Sequence, residues 1–312
     1  MPPTATHLAP PASSRAAALW LWLAPTLAAL ALRLAGLDSW SFWADEVSTL
    51  RDASQWGAGV GYPVGYAIVG LFVRVFGQSE FAARLVPALA GVATVPIVFF
   101  SARRWTSPRA ASLGAWALAL SDYHLFFSQF CRYYSLVTLL GLIGMALLIR
   151  GVEESSPGRL LAAAGTLVLA FLTHWSAGLL GLAGAAWLAC RHARTASGPR
   201  PSLRQAALFI VPLVILAAVF TPWMLRFLAG WGPWSFRPAD FFLAGAKTIA
   251  RFDPFLMFLA VVGMAALRRQ AAVQALAIFW LAPLALGLIF ISLTSGGTRF
   301  LLIALPPAVI LA

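Results

Sequence analysis

Apolar runs recur along this 312-residue chain almost from end to end, parted by short joints that carry arginine. That pattern constrains the fold more than any motif, because a backbone laid through hydrocarbon must satisfy its own polar groups and so spans as helix or closed barrel. With 61% hydrophobic and only 10% charged residues, neither a soluble two-domain enzyme nor a disordered chain fits. Any chemistry must sit on membrane helices and the loops that join them.

The run from about Ala16 to Leu32 reads as an uncleaved first span, since Arg15 alone flanks it and it is long for a secretory signal. The tryptophan-rich segment Asp38 to Gly61 carries Asp38, Asp45, Glu46, Arg51 and Asp52 and belongs in a loop. The next run, Tyr62 to Phe76, contains Arg74. As a helix it covers about 22 Å against a hydrocarbon thickness of about 30 Å, so it reads as interfacial. The stretch 37–84 is then one large external loop. Later spans fall near 85–100, 110–126, 134–149, 160–173, 176–190, 206–222, 252–267, 271–292 and 299–312. The expectation is one all-α domain over 1–312, a polytopic transmembrane bundle of about ten spans. The last run stops at Ala312 within an apolar helix, which reads as a chain truncated at its carboxy end.

In a soluble protein a net charge of +12 would suggest nucleic acid as a partner. Here its distribution gives topology instead. With Arg15, Arg103, Arg104, Arg109, Arg150, Arg159, Arg191, Arg194, Arg200, Arg204, Arg268 and Arg269 on one side, that side has twelve basic residues against Glu153 and Glu154, a balance of +10. The other side has ten basic residues against eight acids, a balance of +2. The first side is inner, and no nucleic-acid partner is expected. Cys131 and Cys190 lie near opposite ends of spans, which argues against a disulfide.

Ionisable groups near a membrane are costly, so their uneven placement points to function. The outer face gathers eight of the ten carboxylates, with Asp122, Tyr123, His124, Gln129, Arg132, Tyr133 and Tyr134 at one boundary and His174 with Trp175 at another. Asp45 and Glu46, bracketed by Trp40, Trp43 and Trp56, sit in an aromatic belt where a carboxylate becomes a better base or a cation ligand. The plainer reading is a solvated loop anchored by tryptophans. Arg84 has a structural alternative as the partner of Glu80, four residues before it, and Asp122 one as a helix-end residue. Trp223, Trp231 and Trp234, in a loop with Arg226, Arg237 and Lys247, stack on sugar or mark the interface.

Several strings taken in order, Trp43-Ala44-Asp45-Glu46, Tyr62-Pro63-Val64-Gly65-Tyr66, Phe76 to Leu85, Ser128 to Ser135 and Thr173-His174-Trp175, resemble the bacterial C-type glycosyltransferases related to protein O-mannosyltransferases and the lipid A aminoarabinose transferase. The resemblance covers essentially the whole chain. It implies an Asp-Glu pair and short juxtamembrane helices in the first external loop. This chain departs from the pattern in having Tyr62-Pro63-Val64 where His-Pro-Pro is common, and Phe130-Cys131 where Glu-Ala is common.

The resemblance implies a donor sugar linked to polyprenyl phosphate, made inside and presented at the outer leaflet of a bacterial cytoplasmic membrane, with the active site facing the periplasm or exterior. The acceptor would be an envelope lipid, glycan or protein, and membrane lipids are further partners. Asp45 would take the acceptor's proton in an inverting displacement. Glu46 would orient the acceptor or join Asp45 in holding a divalent cation, Mg, Mn or Zn. Arg132, Arg299 and Tyr133 would meet the donor phosphate, Arg299 following a Ser295-Gly296-Gly297-Thr298 turn whose amides also suit an anion. For these arginines the plainer reading is snorkelling to headgroups. Arg84, Gln129 and His174 would contact substrate; a lone histidine at a helix end is otherwise an ordinary hydrogen-bonded interface residue. Two other functions stand beside the enzyme: a transporter or flippase for a lipid-linked or anionic solute, and a non-catalytic scaffold. A transporter should carry ionisable groups at mid-membrane, whereas this chain crowds them on one face.

Overall fold

A computed structural model describes residues 12–55, 63–193, 200–229, 238–266, 270–294 and 298–312. The first half contains α1 (Ala12–Leu34), α2 (Ala44–Ser54), α3 (Pro63–Phe76), α4 (Glu80–Ala102), α5 (Pro108–Leu120), α6 (Asp122–Ser128) and α7 (Tyr134–Glu153). The second contains α8 (Pro157–Thr173), α9 (Gly178–Ala193), α10 (Leu203–Ala229), α11 (Pro238–Arg251), α12 (Pro254–Ala266), α13 (Ala271–Thr294) and α14 (Leu305–Leu311). Two 3-10 stretches, Trp175–Ala177 and Thr298–Ala304, interrupt the series. The all-α multi-pass bundle expected from the apolar runs is the fold observed.

Helix boundaries follow local chemistry. Ser79, Ser107 and Ser156 each accept a hydrogen bond from the backbone N–H three residues on and so cap α4, α5 and α8. Such caps contribute about 1 kcal/mol each. Proline opens α5 and α8 at the position where its missing N–H does no harm. Gly36 and Gly77, at φ 68° and 91°, make the left-handed turns that end α1 and precede α4.

The count of about ten spans is not what the helix lengths give. Five described helices are long and apolar enough to cross a membrane: Ala16–Leu34, Glu80–Ala102, Tyr134–Glu153, Leu203–Arg226 and Val273–Leu293. The run expected at 110–126 is broken at Ser121, whose side chain caps α6 through His124 N–H. α8 has only 17 residues and α9 only 16. The run expected at 252–267 is one arm of a pair, α11 and α12, bent by 91°, with Asp253 at φ 66° in the bend. The run at 299–312 divides into a 3-10 stretch and α14. Hydropathy registers an apolar run equally whether or not its backbone breaks, which is why the runs outnumber the long helices.

α7 packs most extensively on α8, and α4 bridges α1, α5 and α7. Arg104 at the end of α4 meets Glu153 at 3.4 Å and Glu154 at 3.6 Å, and Glu154 also pairs with Arg150 and Arg159. Five of the charges assigned to the inner side, Arg104, Arg150, Arg159, Glu153 and Glu154, thus meet one another. Arg33 is fully buried among carbonyls. It donates to Ala119 O at 3.0 Å and Leu118 O at 3.2 Å, and to His124 Nδ1 at 2.9 Å. Those carbonyls belong to the last turn of α5, where the helix has no amide left to offer, so Arg33 caps α5 and clamps it to α1. α3 lies against α2, α4 and α8 with Gly65, Tyr66, Val69 and Gly70 buried. Helix α3 is thus docked on the bundle, and α2 rests upon it.

Candidate active site

Helix α2 begins at Trp43, and the carboxylate of Glu46 turns back to accept the Trp43 N–H at 3.0 Å. Two acids in a first turn suit the positive end of the helix dipole. Adjacent residues on a helix point about 100° apart, so Asp45 and Glu46 cannot share one direction. One enters the protein and the other stays exposed.

Glu46 is the one that enters. Its carboxylate accepts from Arg84 Nε at 2.9 Å and Arg84 Nη2 at 2.8 Å, and from the Cys131 N–H at 2.7 Å. Both side chains of this ion pair are 0% exposed. Arg84 also donates to Leu37 O at 2.7 Å, Trp40 O at 2.9 Å and Ser41 O at 3.3 Å, with the Trp40 ring 4.8 Å away. This corrects three expectations. Glu46 has no free face for an acceptor or a metal; Arg84 pairs with Glu46, not Glu80; and Arg84 ties the first loop to α4 without reaching substrate. Burial alone would raise the Glu46 carboxyl, but Arg84 and the two backbone amides hold it below the usual carboxylate range.

Asp45 lies on the open side. Arg299 Nη1 donates to its Oδ2 at 2.6 Å, and Arg132 Nη2 stands 3.5 Å from its Oδ1. Here exposure separates the groups: Asp45 is 41% exposed, Arg299 36% and Arg132 11%. Thr49, one turn after Asp45, accepts from Arg132 Nη1 at 3.0 Å. Sequence reading passed over Thr49, although its spacing of four from Asp45 puts it on the same helix face. The Ser295-to-Gly297 part of the turn expected before Arg299 lies outside the described residues, as do Trp56, Tyr62, Trp231, Trp234 and Arg237.

Behind Arg132 the expected substrate contacts form a support. Its guanidinium is 5.4 Å from the Tyr133 ring centroid, and Tyr133 stacks on His174 at 4.5 Å with planes 21° apart. Tyr133 and His174 are buried, so neither reaches a ligand through open space. His174 Nδ1 accepts the Ser176 N–H at 3.2 Å and lies 2.8 Å from Ser176 Oγ, which puts any ring proton on Nε2. Burial, then the charges of Arg132 and Arg299, push His174 well below its ordinary range, so its ring is neutral. For Arg132 burial works against the charge, but Tyr133, Tyr134, Asp45 and Tyr66 outweigh it and hold the guanidinium more firmly protonated than usual. Gln129 is also reassigned: its Nε2 donates to Leu32 O at 3.0 Å and Ala35 O at 2.8 Å, capping α1.

Asp122 and His124 flank this region on α6, where His124 is buried against Arg33. Cys131 is buried and Cys190 exposed, both as free thiols. Burial, and secondly Glu46, push the Cys131 thiol up to about 12, so it is inert. Among the described residues no three His, Cys, Asp or Glu side chains converge on a metal-sized site. With Glu46 neutralised inside and Asp45 faced by two guanidiniums, the donor set does not fit a divalent cation, contrary to the expectation for this pair.

Beyond His174 a groove opens between α8, α9 and α10. It has a volume of about 400 Å³ and is lined by apolar side chains, among them Phe171, Trp175, Leu179, Ile210, Leu213 and Ala217. Trp175 in its wall packs on His174, so the groove connects to Arg132 through the Trp175–His174–Tyr133 ring contacts.

Residues 61–225, just over half of the chain, match the family profile described as dolichyl-phosphate-mannose-protein mannosyltransferase. The chain belongs to this family. No curated protein matches it in sequence. Among solved structures, this mannosyltransferase-family chain is similar to ArnT from Cupriavidus metallidurans in the apo state. The TM-score is 0.72 at 18% identity, covering 95% of this chain and 59% of that one. The same protein bound to undecaprenyl phosphate matches with TM-score 0.68 at 19% identity, over 94% of this chain and 59% of that one. The archaeal oligosaccharyltransferase AglB from Archaeoglobus fulgidus, in complex with an inhibitory peptide and a dolichol-phosphate, matches with TM-score 0.64 at 13% identity, over 96% of this chain and 50% of that one. At these identities the likeness establishes the fold, that of the GT-C glycosyltransferases. The mannosyltransferase-family chain spans 59% of the length of ArnT.

Proposed function

We propose that the protein transfers a sugar from a polyprenyl-phosphate donor to an acceptor at the outer face of a bacterial cytoplasmic membrane, with Asp45 as the base. The observation that carries this is the half-exposed Asp45 carboxylate between the guanidiniums of Arg132 and Arg299. ArnT and AglB, which share the fold, have been solved with undecaprenyl phosphate and dolichol-phosphate respectively, which supports the donor class.

The chemistry follows from charge exchange. A donor phosphate entering this site competes with Asp45 for the two guanidiniums, whose planar N–H groups match phosphate oxygens as well as carboxylate. Arg132 Nε is buried and lacks an acceptor among the described residues, so its donor capacity is not filled by the protein. Once the phosphate holds the arginines, Asp45 is released to accept a proton. The acceptor oxygen then attacks the anomeric carbon, the bond from that carbon to the phosphate oxygen breaks, and the electron pair leaves on the phosphate, where Arg132 and Arg299 stabilise it. The acceptor's proton passes to Asp45, and a single displacement inverts the anomeric centre. The donor's prenyl chain lies in the α8–α10 groove. No step runs through a metal ion.

The test is reconstitution in lipid vesicles with radiolabelled polyprenyl-phosphate sugars and isolated cell envelopes as acceptor. Transfer by the wild type, its loss in Asp45→Asn, and binding of undecaprenyl phosphate by that variant at least as tight as the wild type's are the expected results. Full transfer by Asp45→Asn excludes the assigned base.

A further inference from the structure

A second cavity, unused by the donor, opens beside α6. It has a volume of about 480 Å³ and is lined mainly by Asp122, Tyr123, Phe126, Phe127, Gln129 and Arg251. That size falls within the range of small-molecule sites, about 300–1,000 Å³. Unlike the apolar groove, it carries a carboxylate, a guanidinium and an amide along one aromatic wall.

The wall is coupled to the reacting groups by the way two segments lie against each other. Trp43 meets Phe130 with ring centroids 5.8 Å apart, Glu46 accepts from the Cys131 N–H, and Asp45 pairs with Arg132. Phe126 extends this pairing into the cavity: it stacks on Phe130 at 5.7 Å, takes the Trp43 edge at 6.2 Å, and is 47% exposed. The donor groove joins the same pairing from the other side, through Arg132, Tyr133, His174 and Trp175. The cavity thus reaches the start of α2 through Phe126 and Trp43, two residues before Asp45.

The lining has the chemistry that recognises a polyhydroxylated ring. The face of Phe126 carries negative quadrupole charge and attracts the weakly positive C–H groups of a pyranose. Asp122 Oδ1 accepts from the Tyr123 N–H at 2.6 Å, and its exposed Oδ2 has no partner among the described residues. Gln129 uses its amide nitrogen on α1, leaving its oxygen as an acceptor, and Arg251 brings donors. A lipid tail gains nothing from these polar groups. We propose that this cavity is the acceptor subsite, and that the acceptor is a carbohydrate whose ring stacks on Phe126 while one hydroxyl is presented to Asp45. This rests on the transfer reading given above.

The experiment uses the full chain in phosphatidylcholine nanodiscs, a panel of radiolabelled undecaprenyl-phosphate sugars, and isolated cell envelopes as acceptor source. Phe126→Ala and Asp122→Asn are expected to raise the KM for envelope acceptor about tenfold with kcat nearly unchanged. Both should bind undecaprenyl phosphate as the wild type does, which also shows that they are folded, and Phe126→Tyr should restore the KM. Periodate oxidation of the envelopes should abolish their acceptor activity and protease treatment should spare it. Unchanged KM in both alanine and asparagine variants, or label on a protease-sensitive, periodate-resistant product, overturns the subsite and its carbohydrate ligand while leaving the donor reading in place. A wild type that binds undecaprenyl phosphate but transfers nothing, and behaves as Asp45→Asn does, overturns both.

Discussion

Arg299 and Asp45 stand 254 positions apart in the chain and meet side chain to side chain at 2.6 Å. Each is more than a third exposed, so their ion pair is screened and contributes about 0–1 kcal/mol. A short contact that is weak in energy is easily exchanged for a better anion. Glu46 and Arg84, fully buried and hydrogen-bonded on every side, hold a pair that has no such exchange open to it. Two adjacent acids are therefore held differently: Asp45 in an exposed, exchangeable pair and Glu46 in a buried, fixed one.

Removing either arginine that faces Asp45 should lower transfer with little effect on folding. Arg299→Ala and Arg132→Ala are expected to lose about 10²–10³-fold in kcat, the loss usual when one preorganised donor to a developing anion is removed. Arg299→Lys should retain part of it, because the charge remains but the planar fork does not. Initial rates at saturating donor check this.

Glu46→Gln and Arg84→Ala should instead fail as proteins. Either change leaves a buried partner uncompensated, at about 3–5 kcal/mol. Thermal unfolding in detergent should show a midpoint well below that of the wild type, and the fraction of monodisperse protein should fall. Unchanged stability in Glu46→Gln would mean that the pair contributes nothing to holding the first loop.

How far the sequence reached can be judged from these same residues. The apolar runs announced the bundle, and the sorting of arginines put Glu153 and Glu154 with Arg104, Arg150 and Arg159, where they are found. Of the expected acidic pair Asp45 and Glu46 and the expected phosphate contacts Arg132, Arg299 and Tyr133, Asp45, Arg132 and Arg299 do converge. What could not be read was direction. Nothing in the order of residues says that Glu46 turns inward, that Gln129 caps α1, or that His174 supports Tyr133 from behind. Those outcomes depend on which carbonyls are left unsatisfied at helix ends, and such a shortage exists only once the helices have been placed. Breaks such as Ser121 and the bend at Asp253 escaped for a related reason, since an apolar backbone can turn without any change in hydropathy.

Acid should destabilise the protein in two windows. Glu46 titrates lower in the folded state than in the unfolded chain, so its contribution is present above the ordinary carboxylate range near pH 4.3 and is lost as pH falls through its lower folded value. His174 also titrates lower when folded. The unfolded chain then takes up a proton near pH 6.5 that the folded chain refuses, and stability declines as pH drops below that point. The thermal midpoint should fall between pH 7.5 and 5.5 in the wild type. It should fall less in His174→Phe, which keeps a ring against Tyr133 but does not titrate.

A methyl group at Gly70 should loosen the platform beneath α2. A Cβ there would stand 2.5 Å from the carbonyl oxygen of Ala53, a backbone atom that cannot swing aside. Gly70→Ala is expected to destabilise by about 1–3 kcal/mol and to lower transfer, because α2 and Asp45 rest on α3. Limited proteolysis of the first loop, faster in the variant, is the direct measurement.

The loop that carries Asp45 leaves the ribosome early, yet what closes it comes later: Arg84 from the next long helix, then the Cys131 N–H from the junction of α6 and α7. During synthesis the buried carboxylate of Glu46 has no partner beyond its own loop until both have arrived. Arg299, still further along, completes the charge balance around Asp45 last of all. The segment bearing Asp45 is thus made before the residues that fix it, so its assembly waits on the placement of segments much later in the chain.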